Sequence, residues 1–440
     1  MSFSNLPAPL VGPGGGRKSP YPWRGLMLDS ARTCHRVESV KKVLQLAARY
    51  GFNRFHWHLT DDQGWRFEVP GYEKLTTQAA YLERAEFRNY DSLWDDTLER
   101  AIAQAPGRWT NGYYTDEEIK EVVALAAELG IEIIPEVDFP GHMAAAIECY
   151  PQIGRPADLP LPTGSMREHM HWPAANDLLW PNEDAFALVK AALVRVMELF
   201  PGRYVHIGGD ECAYQQWESD PKMVELMRER GWDHPNQIQK WFMEIGIEII
   251  RGEGKIPVVW DDICPQLDAD VLVTAWGQDA GLTDLDSYRQ DYIFTDAQTL
   301  YLNRVDPDGD PNQKGMVPGV SVDGILRATW NQPDDPHCAG VETCLWSEFV
   351  LDHDDVMQML MPRLLAVAAR MWRSGNVEGE GGAGSSGAAG RVGAGASGSF
   401  GAGVDGRPPM PPATLSEAEV SELKDRIAAE YEVVREHLGL

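Results

Sequence analysis

The chain has 440 residues, 43% of them hydrophobic and 24% charged, a composition that can bury a core and excludes wholesale disorder. With 39 basic against 67 acidic residues the formal net charge is −28, and a surface of that sign repels phosphate backbones and anionic headgroups, which argues against nucleic acid as a partner. No stretch approaches the roughly 20 apolar residues that span a bilayer, and the opening MSFSNLPAPLVGPGGGRKSP lacks the charged-then-apolar order of a signal peptide. As written, the chain reads as cytoplasmic with no membrane partner.

Residues 1–20 are rich in Pro and Gly and read as a flexible tail. From there strands and helices alternate. GLMLD (25–29) is a short apolar run, VESVKKVLQLAARYG (37–51) carries apolar residues at helical spacing with a Gly stop, and NRFHWHLTD (53–61) is extended again. TDEEIKEVVALAAELG (115–130) predicts a helix opened by the capping pattern Thr115-x-x-Glu118, followed by the strand IEIIPEVD (131–138). EDAFALVKAALVRVMELF (183–200) leads into YVHIGG (204–209), and PNQIQKWFMEIGIEIIRGEG (235–254) leads into IPVVW (256–260). VLVTAW (271–276), DYIFTD (291–296) and VETCLW (341–346) complete eight predicted strands, and 355–372 reads as one long helix.

Eight strands with intervening helices predict an α/β fold, a (β/α)8 TIM barrel with insertions over 21–373, since such barrels run from about 250 to over 400 residues. The rival is a doubly wound open sheet. What favours the barrel is that Asp29, Asp61, Asp138, Asp210, Asp261, Trp276 and Glu348 fall at or just past strand C-terminal ends, which a barrel gathers around one rim and an open sheet spreads along an edge. Residues 374–415, a Gly/Ala/Ser tract ending in prolines, read as a linker, and 416–440 as a C-terminal helix. Six cysteines lie far apart with no C-x-x-C pair, a pattern of neither a zinc site nor a disulfide scaffold.

The most informative segment is VHIGGDEC (205–212), where a strand meets two glycines and then adjacent carboxylates. Past a strand end the alternation of faces need no longer hold, so Asp210 and Glu211 can both reach the rim. An Asp-Glu dipeptide by itself is usually a solvated pair. Here it stands with HWHLTDDQGWR (56–66), EVDFPGH (136–142), VVWDD (258–262), TAWG (274–277) and CLWSE (344–348). Together, from about Arg24 to Trp372, these segments resemble the family-20 glycoside hydrolases, the β-N-acetylhexosaminidases.

The resemblance implies removal of a terminal N-acetylhexosamine from a β-glycoside, with retention and with no metal and no cofactor. The nucleophile would be the substrate's own 2-acetamido oxygen, giving an oxazolinium ion. Glu211 would protonate the departing oxygen and then activate water, with Asp210 orienting the acetamido N–H. Burial and the charge of Asp210 are expected to raise the Glu211 pKa. His142 and Asp138 match a hydrogen-bonded pair that tunes the acid. Trp260, Trp276 and Trp346 match the walls of the acetamido pocket, and Tyr301 a tyrosine that bonds the acetamido oxygen. Arg32, Asp61 and Glu348 match the groups that hold the 3- and 4-hydroxyls. Arg32 is preferred to Arg24, which precedes its strand, and Asp62 is expected to be a structural neighbour of Asp61.

The sequence also departs from the family. The small α/β domain that often precedes the barrel is missing, and a truncated gene model would account both for that and for a lost secretion signal. Asn303 stands where many members carry Asp, followed by Arg304. Both are expected near the sugar's 6-position, where the guanidinium would attract a 6-sulfate, unless Arg304 instead pairs on the surface with Asp306 or Asp308. The alternatives of other kinds are a non-catalytic sugar-binding barrel and a chitinase. Retention of both Asp210 and Glu211 argues against the first, and the chitinase's spaced acidic strand motif is not in this sequence.

Overall fold

Strand β1 (Trp23–Asp29) is buried along nearly its whole length, as a parallel strand must be when helices cover one face and a packed interior the other. The computed structural model describes residues 6–13, 19–81, 111–159, 177–263, 266–267, 270–277, 289–309, 313, 315–330, 335–372 and 415–438. After β1 comes helix α1 (Val37–Arg49), whose Val37, Val40, Val43, Leu44 and Ala47 share one buried face. It stops before Gly51, which takes the left-handed conformation at φ 75°. Strand β2 (Arg54–His58) follows. Helix α2 (Asp116–Glu128) opens with the predicted capping box: the Thr115 side chain accepts the Glu118 N–H, and the Glu118 carboxylate accepts the Thr115 N–H.

The rhythm then runs β3 (Glu132–Glu136), α3 (Glu183–Leu199), β4 (Tyr204–His206), α4 (Asn236–Gly252), β5 (Ile256–Trp260), β6 (Leu272–Ala275), β7 (Tyr292–Phe294) and β8 (Cys338–Leu345). Each strand pairs in parallel with the next, and β8 returns to β1 with Met27 beside Cys344. The sheet is a closed (β/α)8 barrel, as the eight apolar runs predicted.

Period-two alternation decides what fills its interior. Trp23, Ile134, Tyr204, Val258, Leu272 and Ile293 form an apolar floor. Two residues beyond Ile134, Tyr204 and Leu272 come Glu136, His206 and Thr274, which with His56 and Glu342 form a buried polar layer. Glu136 accepts from His56 at 2.8 Å, His58 at 2.5 Å and the Trp260 indole at 2.7 Å, and lies 3.1 Å from His206 Nδ1. Glu342 takes the other His56 nitrogen at 2.8 Å and the Trp23 indole at 3.0 Å. Gly25 is required beside it, because a Cβ there would lie 2.2 Å from the Glu342 Oε2. Above sits an aromatic layer of Trp260, Tyr301 and Trp346 around Met27 and Cys344.

Two expectations are corrected, and the structure adds a helix. The helix expected over 355–372 is two, α5 (His353–Leu360) and α6 (Arg363–Met371), because Pro362 has no N–H to continue the ladder. Pro221–Arg230 forms a helix that apolar spacing did not reveal; its side chains are mostly exposed, and only Met223 is buried. Residues 6–13, read as part of a tail, lie against the barrel: Val11 is 1% exposed and the Leu10 N–H bonds Glu430. The C-terminal helix α7 (Glu417–Leu438) docks through Val420, Leu423, Ile427 and Val434. The Gly/Ala/Ser tract, 374–414, lies outside the described residues, as do 1–5 and 14–18 of the tail. None of the described cysteines, Cys34, Cys149, Cys212, Cys338 and Cys344, is joined in a disulfide. No described helix is long and apolar enough to cross a membrane.

Candidate active site

Beyond β4 the backbone turns sharply through Gly208 (φ 60°) and Gly209 (φ 96°). At 208 only glycine fits, since a Cβ would come within 1.6 Å of the Asp138 carboxylate. That turn lets Asp138 Oδ1 accept the Gly209 N–H at 3.0 Å and brings Asp210 and Glu211 onto the rim together. Asp210 is buried, while the Glu211 side chain keeps 23% exposure. Glu211 itself holds φ 45°, a left-handed conformation that costs a non-glycine residue about 1–3 kcal/mol and marks functional sites.

His142, also at positive φ (54°), reaches in from the loop after β3. Its Nε2 lies 3.7 Å from Asp210 and 3.5 Å from Glu211, and its Nδ1 lies 3.4 Å from Asp61 and 3.7 Å from Asp62. Burial opposes charge on this imidazole, yet the carboxylates of Asp61 and Asp210 hold its pKa well above the usual range. Burial and the neighbouring Asp210 push Asp138 far up. Burial, aided by Glu211 and opposed by His142, pushes Asp210 up to about 6. The Asp138, Asp61 and His142 donor atoms lie within 4.8 Å of one another.

A second group forms at the ends of β1 and β2. Asp29 Oδ1 accepts the main-chain N–H groups of Ala31 and Arg32 at 2.8 and 3.0 Å, turning Arg32 back over the rim. The Arg32 guanidinium pairs with Asp61 at 2.8 Å and lies 4.9 Å above the Trp346 ring. His58 joins Asp61, at 3.0 Å, to Glu136 in the polar layer. Arg24 is elsewhere, bonding the Gly51 and Tyr21 carbonyls beneath Trp372. Asp62 accepts the Ala144 N–H at 3.0 Å and ties the next loop down.

The aromatic wall closes the pocket. Trp260 and Trp346 lie 5.7 Å apart and Tyr301 lies 6.0 Å from Trp346. Half-buried Trp276 packs against the same cluster. Burial holds the Tyr301 phenol well above its usual range, so it stays a neutral donor. Asn303 donates to Met316 Sδ at 3.0 Å and to Glu348 at 3.4 Å, and burial raises the Glu348 carboxyl. Arg304 departs from both expectations. It is buried, its guanidinium bonds the Ala297 and Pro318 carbonyls at 2.7 and 3.1 Å, and Asp306 faces Arg363 instead, at 4.0 Å. A guanidinium engaged with main-chain carbonyls is not offered to a 6-sulfate, and the surface pair with Asp306 or Asp308 is replaced by these bonds.

Sequence reasoning missed three residues. His58 and Glu136 lie within predicted strands, where a charged or polar residue on an inward position was the available signal. Asp262, second in VVWDD, accepts the Glu211 N–H and the Trp276 indole at 3.2 and 2.9 Å. The named neighbour, Asp261, accepts the Gly277 N–H at 3.2 Å. Among the described residues three donor sets are close enough for a metal: His56 with Glu136 and His206, Asp61 with Asp138 and His142, and His142 with Asp210 and Glu211. In the first, both His56 nitrogens face carboxylates, which favours N–H donors over ligating lone pairs.

Residues 21–375 match the model of the glycosyl hydrolase family 20 catalytic domain. A beta-hexosaminidase from Porphyromonas gingivalis is 30% identical over 363 residues, 80% of this chain and 43% of that protein. One from Vibrio furnissii is 32% identical over 359 residues, 79% of this chain and 56% of that protein. The chain thus spans about half the length of these relatives. The solved structure of a family-20 exo-β-N-acetylglucosaminidase from Vibrio harveyi, in complex with N-acetylglucosamine, superposes with a TM-score of 0.66 at 28% identity, covering 81% of this chain and 55% of that one.

Proposed function

This chain belongs to glycosyl hydrolase family 20, and from that premise we propose that it hydrolyses terminal non-reducing N-acetylhexosamine residues from β-N-acetylhexosaminides, with retention, through an oxazolinium intermediate. The observation that carries the reading is the adjacent pair Asp210–Glu211, with both carboxylates converging on His142 Nε2 beneath an aromatic wall. Two carboxylates on one turn do not flank a bond from opposite faces, as an acid and an enzyme nucleophile must. They suit an acid and a group that steers the substrate's own nucleophile.

In this scheme the 2-acetamido group packs between Trp260, Trp276 and Trp346, which hold its oxygen under the anomeric carbon and make the attack effectively intramolecular. Tyr301 donates to that oxygen. Ionised Asp210 accepts the acetamido N–H and offsets the positive charge that grows on the ring. Glu211, the more exposed of the pair, gives its proton to the leaving oxygen, and its carboxylate then takes one from water as the intermediate opens. Asp138 and His142 support the pair through the Gly209 turn and through charge. Arg32, Asp61 and Glu348, with Asn303 against Glu348, hold the sugar's hydroxyls by charge-assisted bonds.

The test compares a chromogenic N-acetylglucosaminide with the corresponding glucoside, which lacks the internal nucleophile. The first is expected to be cleaved and the second not. Glu211→Gln is expected to lower kcat by about 10² or more, and less on an aglycone acidic enough to leave without a proton. An enzyme carboxylate trapped covalently during turnover overturns the scheme.

A further inference from the structure

Asp262 stands just past the end of β5, and its two oxygens serve parts of the site that come from different strands. Oδ1 accepts the main-chain N–H of Glu211, at 3.2 Å, and Oδ2 accepts the indole N–H of Trp276, at 2.9 Å. Each recipient needs an external hold. Glu211 keeps a left-handed backbone (φ 45°), and such a conformer persists only where its surroundings over-determine it. Trp276 is half-buried at the end of β6, so packing alone leaves its ring more freedom than that of fully buried Trp260.

We propose that Asp262 is a positioning residue that couples the proton donor to the acetamido wall, one carboxyl setting both the backbone of Glu211 and the plane of Trp276. The inference rests on the reading of Glu211 and Trp276 given above. Asp262 makes its contribution through these two residues: the Glu211 side chain must reach the leaving oxygen while the wall presses the acetamido group against the anomeric carbon. A displacement of about 1 Å in either can cost on the order of 10² in rate. A shared anchor ties the two placements together, so that the wall and the acid cannot drift independently.

The variants follow from the two bonds. Asp262→Asn keeps the shape and one acceptor oxygen, but its NH2 cannot accept from the indole. Trp276→Phe keeps an aromatic wall and removes the indole donor. Each single change is expected to lower kcat by roughly 10- to 100-fold with KM held within about threefold, at a melting temperature near that of the wild type. The double variant is expected to lose little more than the worse single one, because both break the same bond. Fold losses that multiply, or an Asp262→Asn kcat within about twofold of the wild type, overturn the proposal. Amide exchange at Glu211 supplies a measurement that needs no substrate and no Asp262 variant. In Trp276→Phe the Glu211 N–H is expected to exchange about tenfold faster as its acceptor loses its second partner. An unchanged rate sinks the coupling. This measurement decides the bridge even if the wild type proves inactive on the N-acetylglucosaminide, an outcome that would instead defeat the proposed function.

Discussion

Asp210 shows how one side chain's surroundings set a working range. Burial raises it to about 6, yet the role proposed for it requires the ionised form, since a carboxylate accepts the acetamido N–H and opposes positive charge far better than a neutral acid. The proton is therefore lost, and activity gained, as pH rises through that value. A profile of kcat/KM for the N-acetylglucosaminide is expected to climb through an acidic limb near pH 6. Asp210→Asn is expected to erase the limb and lower kcat by about 10² or more. A limb that persists in the variant assigns it to another group. At the same scale, Arg304 shows that a charged residue beside a pocket need not serve it. Its guanidinium holds the Ala297 and Pro318 carbonyls, a use in which the side chain shapes the loop that carries Tyr301 and Asn303.

Among the elements, α7 is held in place through one buried carboxylate. Its Glu430 is 1% exposed and takes the Arg49 guanidinium at 2.9 Å, the Tyr50 hydroxyl at 2.8 Å and the Leu10 N–H at 2.9 Å. One carboxylate thus ties the last helix to the end of α1 and to the segment 6–13. Removing it leaves three donors without that acceptor in a buried site. Glu430→Ala is expected to destabilise by on the order of 3 kcal/mol, read as a lowered denaturant midpoint. KM and kcat are expected to hold while the protein stays folded, because α7 contributes nothing to the rim. A fall in kcat without a fall in stability contradicts this division.

At the scale of the molecule, the barrel is packed around charge. The polar layer carries Glu136 and Glu342 with three histidines, and His56 between the two carboxylates is raised to about 9 against its burial, from an ordinary value of 6.5. A group protonated more readily in the fold than in the open chain stabilises fully below its unfolded pKa, and that stabilisation is lost as pH rises through its folded one. The denaturant midpoint is therefore expected to decline as pH rises from about 6.5 through 9. A level midpoint across that window places the compensation elsewhere. The charged layer also joins floor to rim: Glu136 bonds Trp260 of the wall and, through His58, reaches Asp61 and Arg32.

How far the sequence reached follows from the range of each interaction. Apolar runs near 25, 53, 131, 204, 256, 271, 291 and 341 located all eight strands, and the Thr115–Glu118 box its helix, because period and capping are local properties of a few adjacent residues. The Gly-Gly-Asp-Glu turn was legible for the same reason: glycines at positive φ mark where a strand end must bend. Resemblance then named candidates for the wall and for the hydroxyl-binding groups, and the barrel gathers those residues on one rim. Tertiary structure alone decided what each side chain bonds. Asp262 meets a main-chain N–H 51 residues away and an indole 14 residues away, and Glu136 meets donors 78, 80 and 124 residues away. Arg304 turned from the solvent expected of a surface cation to the carbonyls of Ala297 and Pro318, which the folding of its own connection after β7 brings beside it. A carboxylate or guanidinium chooses its partners by distance in space once water is excluded, and closure of the barrel, not spacing along the chain, sets those distances.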